Sequence, residues 1–209
     1  TPSNAKKLTQ QLASMRGAAM KMGQMLSMDS GDFLPKELAD ILGRLRSDAQ
    51  PMPRSQLDTV LNPQLGSDWA ENFLSFQYYP LAAASIGQVQ SAVSEAGDYL
   101  AIKVQYPGVR ESIDSDVNNL ASLVKISGVL PKSFDIKPII EECRKQLHEE
   151  ANYIREAEYM TRFGALLAGD ENFQVPDYFP EFSTDKILAM SFIDSEPVEV
   201  LETATQETR

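Results

Sequence analysis

Lys103 stands in the apolar run Ala101-Ile102-Lys103-Val104. On a strand, a lysine so placed lays its hydrocarbon stem along apolar surface and carries its ammonium to the edge of a cleft. That charge suits the α and β phosphates of a nucleotide. Earlier in the chain, Ala82-Ala83-Ala84-Ser85 forms a small-residue turn whose backbone amides can donate to an anion. Alanine's Cβ makes positive φ costly, so this turn cannot copy every conformation of a glycine-rich phosphate loop. Later, the run 149–157, Glu-Glu-Ala-Asn-Tyr-Ile-Arg-Glu-Ala, offers Glu150 and Glu156 as carboxylates that could hold the lysine. In one continuous helix at about 100° per residue they lie about 120° apart and cannot face the same partner. Asn152 and Glu156, four positions apart, do share a helix face. Taken singly, these are a surface lysine, a tight strand entry and a solvated helix face; their order along the chain is what points to phosphate binding.

The elements that must position these residues follow from periodicity. Leu8, Leu12, Met15, Ala19, Met22 and Leu26 recur at helical spacing and predict an amphipathic helix over 4–28. Gly23 inside it costs about 1 kcal/mol relative to alanine, which suggests a close approach to the backbone of Lys21-Met22-Gly23-Gln24. Met15, Met22, Met25 and Met28 read as core filler. Pro35 opens a second helix through Leu45, and a short helix runs from Pro53 to about Leu61. The period then changes to that of strands over 73–80, 86–93 and 99–106, with Glu95-Ala96-Gly97-Asp98 as the turn between the last two. Helical spacing returns over 109–130, and again in one long helix through Ile139, Cys143, Leu147, Ile154 and Ala157. Two further strands are expected over 178–183 and 186–193. The fold class is α+β, with an antiparallel sheet and segregated helices.

Composition narrows the function. The 209 residues carry a net charge of −11, which argues against nucleic acid as a partner, because a phosphate-backbone footprint needs clustered Lys and Arg. Hydrophobic residues at 43% and charged residues at 23% place the chain among globular proteins, and no apolar run reaches the roughly 20 residues of a membrane span. Cys143 and His148 are the single cysteine and histidine, so neither an intramolecular disulfide nor a Cys/His zinc site can form. No signal-peptide stretch opens the sequence, and the missing initiator Met suggests an excised or processed segment. The expected location is the cytoplasm of a bacterial-type cell or an organelle interior, peripheral to a membrane if membrane-associated.

Taken together, Lys21-Met22-Gly23-Gln24, the run 82–89 (Ala-Ala-Ala-Ser-Ile-Gly-Gln-Val), Ala101-Ile102-Lys103 and the run 150–157 resemble the UbiB family of atypical protein-kinase-like proteins. The resemblance implies a helical extension carrying the KxGQ motif over 1–72 and a protein-kinase-like N-lobe over 73–193. A hinge and the start of a second lobe follow over 194–209. It implies ATP or ADP with Mg²⁺, the metal ligands belonging to the second lobe. Lys103 is then the phosphate-contacting lysine and Glu156 its helix partner, the catalytic pair. Ala82, Ala83, Ala84 and Ser85 cover the nucleotide, and Met190, Ser191 and Ile193 lie at the gatekeeper and hinge beside the adenine. Lys21, Gly23 and Gln24 form the extension motif that blocks a protein substrate. Glu150 is the first acid of the family's ExD motif, and here the chain departs from the pattern. Asn152 replaces the aspartate, keeping an acceptor oxygen and losing the charge.

The implied function is the N-terminal part of an atypical kinase-like ATPase that supports ubiquinone and isoprenoid lipid biosynthesis and needs its second lobe for turnover. Further partners implied are quinone-biosynthesis enzymes, isoprenoid lipid or a membrane surface. A reading from another class is a catalytically inactive scaffold for partner enzymes, membrane or lipid. A third, an unrelated α+β binding domain, predicts no proximity of Lys103 to Glu156.

Overall fold

The computed structural model describes residues 15, 17–25, 51–128 and 135–196. Its strands are β1 (Phe73–Phe76), β2 (Ala82–Ala83), β3 (Gly87–Ser94), β4 (Tyr99–Gln105) and β5 (Ile187–Ser191). They form one antiparallel sheet in the order β1-β3-β4-β5, with β2 also pairing β3. The helices are α1 (residues 17–25), α2 (Arg54–Leu65), α3 (Val109–Ser127), α4 (Lys137–Glu150) and α5 (Tyr153–Leu167).

Side chains alternate across a pleated strand, so each strand divides between two layers. On β4, Leu100, Ile102 and Val104 are buried with Ile187 and Ala189 of β5 against Leu57, Val60 and Leu61 of α2, Trp69 and Phe73. Full burial of a leucine such as Leu57 or Leu61 stabilises by about 2 kcal/mol, which is what holds α2 on this face. Two glutamines penetrate the same layer. Gln88 Oε1 accepts from the Met52 amide at 2.9 Å, and Gln90 Nε2 donates to the Tyr78 carbonyl at 3.1 Å, so buried polar groups fix where the chain enters the sheet.

The opposite face carries Lys103 and Ala101 of β4 and Leu188 and Met190 of β5. Leu188 joins the second core, built from Ala18, Ala19 and Met22 of α1, Ile113, Val117, Leu120 and Val124 of α3, Cys143 and Leu147 of α4, and Tyr153 and Ala157 of α5. On α3 these residues recur at helical spacing, the apolar stripe of an amphipathic helix.

The α+β architecture agrees with the sequence, and several elements differ. The long helix expected through 139–157 is two helices broken at Ala151 and Asn152, because Asn152 caps the second: its Oδ1 accepts from the Arg155 amide at 3.1 Å. The strand expected over 178–183 is a single bridge between Tyr178 and Met190 followed by a 3-10 turn at Pro180–Phe182, since proline fixes φ and removes a ladder donor. The strand expected over 73–80 stops at Phe76, and a separate short strand forms at Ala82–Ala83. Helix α2 runs past Leu61 to Leu65 with Pro63 in its last turn. Met15 and Met22 are buried and Met25 packs on the core, as filler. The helix expected from Pro35 to Leu45, both ends of the helix expected over 4–28, Met28 included, the end of the helix expected over 109–130, and residues 197–209 lie outside the described residues.

Candidate functional site

Lys103 sits at the middle of the sheet, paired with Val89 of β3 and Leu188 of β5. Its Nζ donates to both carboxylate oxygens of Glu156, at 2.9 and 3.0 Å. The lysine side chain is 18% exposed and the glutamate 37%, so the pair lies at the edge of the core with one side open. The break before α5 is what aims Glu156. The Asn152 cap starts a new helix, the Glu156 amide donates to the Asn152 carbonyl at 3.0 Å, and Tyr153, Glu156 and Ala157 then share the face turned to the sheet. In the first turn of α5, the carboxylate also lies near the positive end of the helix dipole. The ring of Tyr153 lies 4.9 Å from Lys103 Nζ, and burial pushes its phenol well above the usual range.

Glu150, the last residue of α4, gathers a different set. Lys21 of α1 pairs with one of its oxygens, and the Ser85 hydroxyl donates to the other. The extension helix and the alanine turn therefore meet on one carboxylate. Gly17 allows that approach: a Cβ there would lie 2.3 Å from the Ser85 carbonyl oxygen. Cys143 packs beneath, its Sγ 3.7 Å from the Ala18 carbonyl, and burial pushes its thiol up to about 11. Gln105 closes the underside of the break by donating to the Ala151 carbonyl at 2.8 Å. Glu150 and Glu156 thus hold two different lysines from two different helices, where one continuous helix was expected.

The alanine turn is a hairpin. Ala82 pairs with Val89 and Ala83 with Gln88, and the Ala84 amide donates to the Gly87 carbonyl at 2.8 Å. Among the described residues positive φ occurs only at glycines, so the turn adopts ordinary conformations throughout, as alanine's Cβ demands. Gly87 admits the neighbouring strand, since a Cβ would lie 2.3 Å from the Val104 carbonyl oxygen. Register sets Ala82, Val89, Lys103 and Leu188 in one row across the sheet, with Ser91, Ala101 and Met190 in the next. Val89, Ala101 and Met190 are half-buried on the Lys103 face.

At the far end of β5, the Ser191 amide donates to the Asp177 carbonyl and its hydroxyl accepts from the Asp177 amide, both at 2.9 Å. The amide and hydroxyl of Ser191 are both engaged, and Ile193 lies half-buried beyond the strand. Gln24 is exposed on α1 and Gly23 half-buried. Asn152 is exposed and its side chain serves the helix cap. Among the described residues no group of acids, cysteines and histidine could hold a metal, and no helix is long and apolar enough to cross a membrane.

The sequence motifs left four participants without a role. Tyr153 was hidden because the break preceding it was read as helix, although asparagine is a favoured cap. Gly17 had only its helix-breaking residue type as a signal. Val89 and Ala101 emerge from strand register, which no single motif shows.

Residues 44–209 match the family model described as the ABC1 atypical kinase-like domain. The chain is 43% identical over 207 residues to the atypical kinase COQ8, mitochondrial, of Saccharomyces cerevisiae, covering 99% of this chain and 41% of that protein. It is 42% identical over 206 residues to the atypical kinase COQ8B, mitochondrial, of Danio rerio, covering 99% of this chain and 33% of that one. Among solved structures, a Mycobacterium tuberculosis protein in complex with erythromycin aligns with a TM-score of 0.60 and 31% identity, over 99% of this chain and 53% of that one. The expected kinase-like fold is shown by this neighbour and by the family match. The chain spans less than half the length of these two curated relatives.

Proposed function

We propose, because this chain belongs to the ABC1 atypical kinase-like family, that it supplies the phosphate-gripping half of a nucleotide site in a larger atypical kinase-like ATPase. The observation that carries this reading is the Lys103 ammonium, held by both oxygens of Glu156 and open on the remaining side. A flexible lysine alone would wander; one fixed by a carboxylate presents its charge in a defined direction, as phosphoryl transfer requires. Val89, Ala101 and Met190 offer an apolar floor of the kind a purine needs, and the turn from Ala82 to Ser85 borders the same row. The fit to ATP or ADP therefore rests on a cation, an apolar shelf and a backbone turn on one face.

Mg²⁺, when bound with the nucleotide, neutralises phosphate charge, and its ligands fall to the part of the protein outside this chain. Within this chain, Lys103 binds and orients phosphate oxygens and Glu156 holds Lys103. Helix α1, which belongs to the extension expected over 1–72, is joined to the lobe by the Lys21–Glu150 pair, and this supports our reading that the extension excludes a protein substrate. The biological process we assign is ubiquinone and related isoprenoid lipid biosynthesis, in an organelle interior, in keeping with relatives named mitochondrial.

The test is Lys103→Ala in the full-length protein. Loss of a charge-assisted hydrogen bond of about 1.5–3 kcal/mol should weaken ATP binding roughly 10- to 150-fold by calorimetry and abolish ATPase activity. Unchanged affinity and turnover would refute the assignment and leave the scaffold reading standing.

A further inference from the structure

The ring of Tyr153 is the least explained group beside Lys103. It is 1% exposed, its centroid lies 4.9 Å from Lys103 Nζ, and its hydroxyl has no hydrogen-bond partner among the described residues. A buried, unmade hydrogen bond is unfavourable, so a hydroxyl-bearing ring here has to be explained by what its face does. An aromatic face carries negative potential, and a lysine ammonium within about 6 Å of its centroid is attracted to it. The sequence order supports the placement. Asn152 breaks the chain and caps α5, which sets Tyr153 at the first helical position and Glu156 one turn later on the same face. The ammonium is thus held by a carboxylate and by a ring, and its third side is left for an incoming anion.

We propose that Tyr153 is a positioning residue whose aromatic face seats the Lys103 ammonium beside Glu156 and thereby sets its affinity for nucleotide phosphate. The inference deepens, and rests on, the reading of Lys103 as the phosphate-binding lysine. Geometry makes the aromatic face the active part and the hydroxyl dispensable. Replacing the ring by an aliphatic side chain removes the seat while Glu156 remains.

The test uses the full-length protein with Tyr153→Phe, Tyr153→Leu and a series of progressively fluorinated phenylalanines at position 153. Fluorination drains the ring face of negative potential at nearly constant shape, so it separates electrostatic seating from packing even if Tyr153→Leu fails to fold. ATP affinity should be retained in Tyr153→Phe, fall roughly 3- to 10-fold in Tyr153→Leu, and decline stepwise with fluorination. A second readout needs no nucleotide. The ε-methylene protons of Lys103 should resonate upfield, by ring current, with Tyr or Phe at 153, and return towards ordinary lysine positions in Tyr153→Leu. Methylene resonances indifferent to the ring would overturn the seating, and so would ATP affinity that stays flat across the fluorinated series while Lys103→Ala abolishes binding. If Lys103→Ala also leaves ATP affinity unchanged, the nucleotide reading falls, and with it the claim about phosphate affinity.

Discussion

Glu150 and Glu156 flank the same helix break, and each holds a lysine brought from elsewhere in the chain, yet their surroundings differ. Glu150 has both oxygens engaged, one by Lys21 and one by Ser85, and the Lys21 side chain is only 12% exposed. Around it the backbones of α1 and the alanine turn close to a distance that only glycine at position 17 permits. Glu156 spends both oxygens on one ammonium, and that ammonium keeps an open side. The same pair of residue types therefore serves as a clamp between elements in one place and as a holder with spare valency in the other. What separates them is the number of partners and the packing around each, which residue type alone does not encode.

The largest expected effect strikes the clamp. Gly17→Val inserts atoms against the Ser85 carbonyl and should lower folding stability by about 1–3 kcal/mol or more in chemical denaturation. An unchanged denaturation midpoint would show that α1 is not seated on the turn. The second effect separates the two carboxylates. Glu150→Gln leaves Lys21 without its counter-charge and should cost about 1–2 kcal/mol of stability. Glu156→Gln should cost less than about 1 kcal/mol, because that pair is more exposed, while it weakens ATP binding more than Glu150→Gln does. The opposite ordering of the two variants would undo the contrast.

A smaller effect probes how closed the clamp side is. Cys143, packed against Ala18 of α1, has its thiol pushed by burial from 9.0 to about 11. Between those values the unfolded chain releases the thiol proton while the folded protein keeps it, so stability falls as pH rises through that window. Cys143→Ala removes this contribution. Between pH 9 and 11 the unaltered protein should therefore lose up to ~2 kcal/mol more than the variant in denaturant titrations. Parallel pH profiles would mean that solvent reaches the thiol.

The sequence was most legible where chemistry and period coincide. Lys103 in an apolar strand run and an acid in a later helix led to a pair that the structure brings within 3.0 Å, which removes the unrelated-domain reading. The sheet meander from Phe73 to Gln105 was also readable, because alternation and a glycine turn are local signals. The break at Ala151 and Asn152 was not. Apolar spacing runs on through Leu147, Ile154 and Ala157, and one capping asparagine outweighs that continuity only when tertiary packing favours the change of direction. The stretch from Tyr178 misled for a related reason: its aromatics suit a strand, and Pro180 turns them into a short 3-10 segment that covers the edge of the sheet. The link from Lys21 through Glu150 to Ser85 joins three separate parts of the chain, and no spacing rule connects them.

The alanine turn contains no left-handed residue, and this has an entropic consequence. A glycine-rich loop is loose when empty and must surrender its backbone freedom each time it closes on phosphates. The turn from Ala82 to Ser85, built from residues with fewer accessible conformations and tied by Ser85 to Glu150, loses most of that freedom once, when the chain folds. On the proposed nucleotide reading, binding then orders little, and release has little disorder to regain. Such a loop favours a ligand that fits its fixed shape over one that needs the loop to wrap around it.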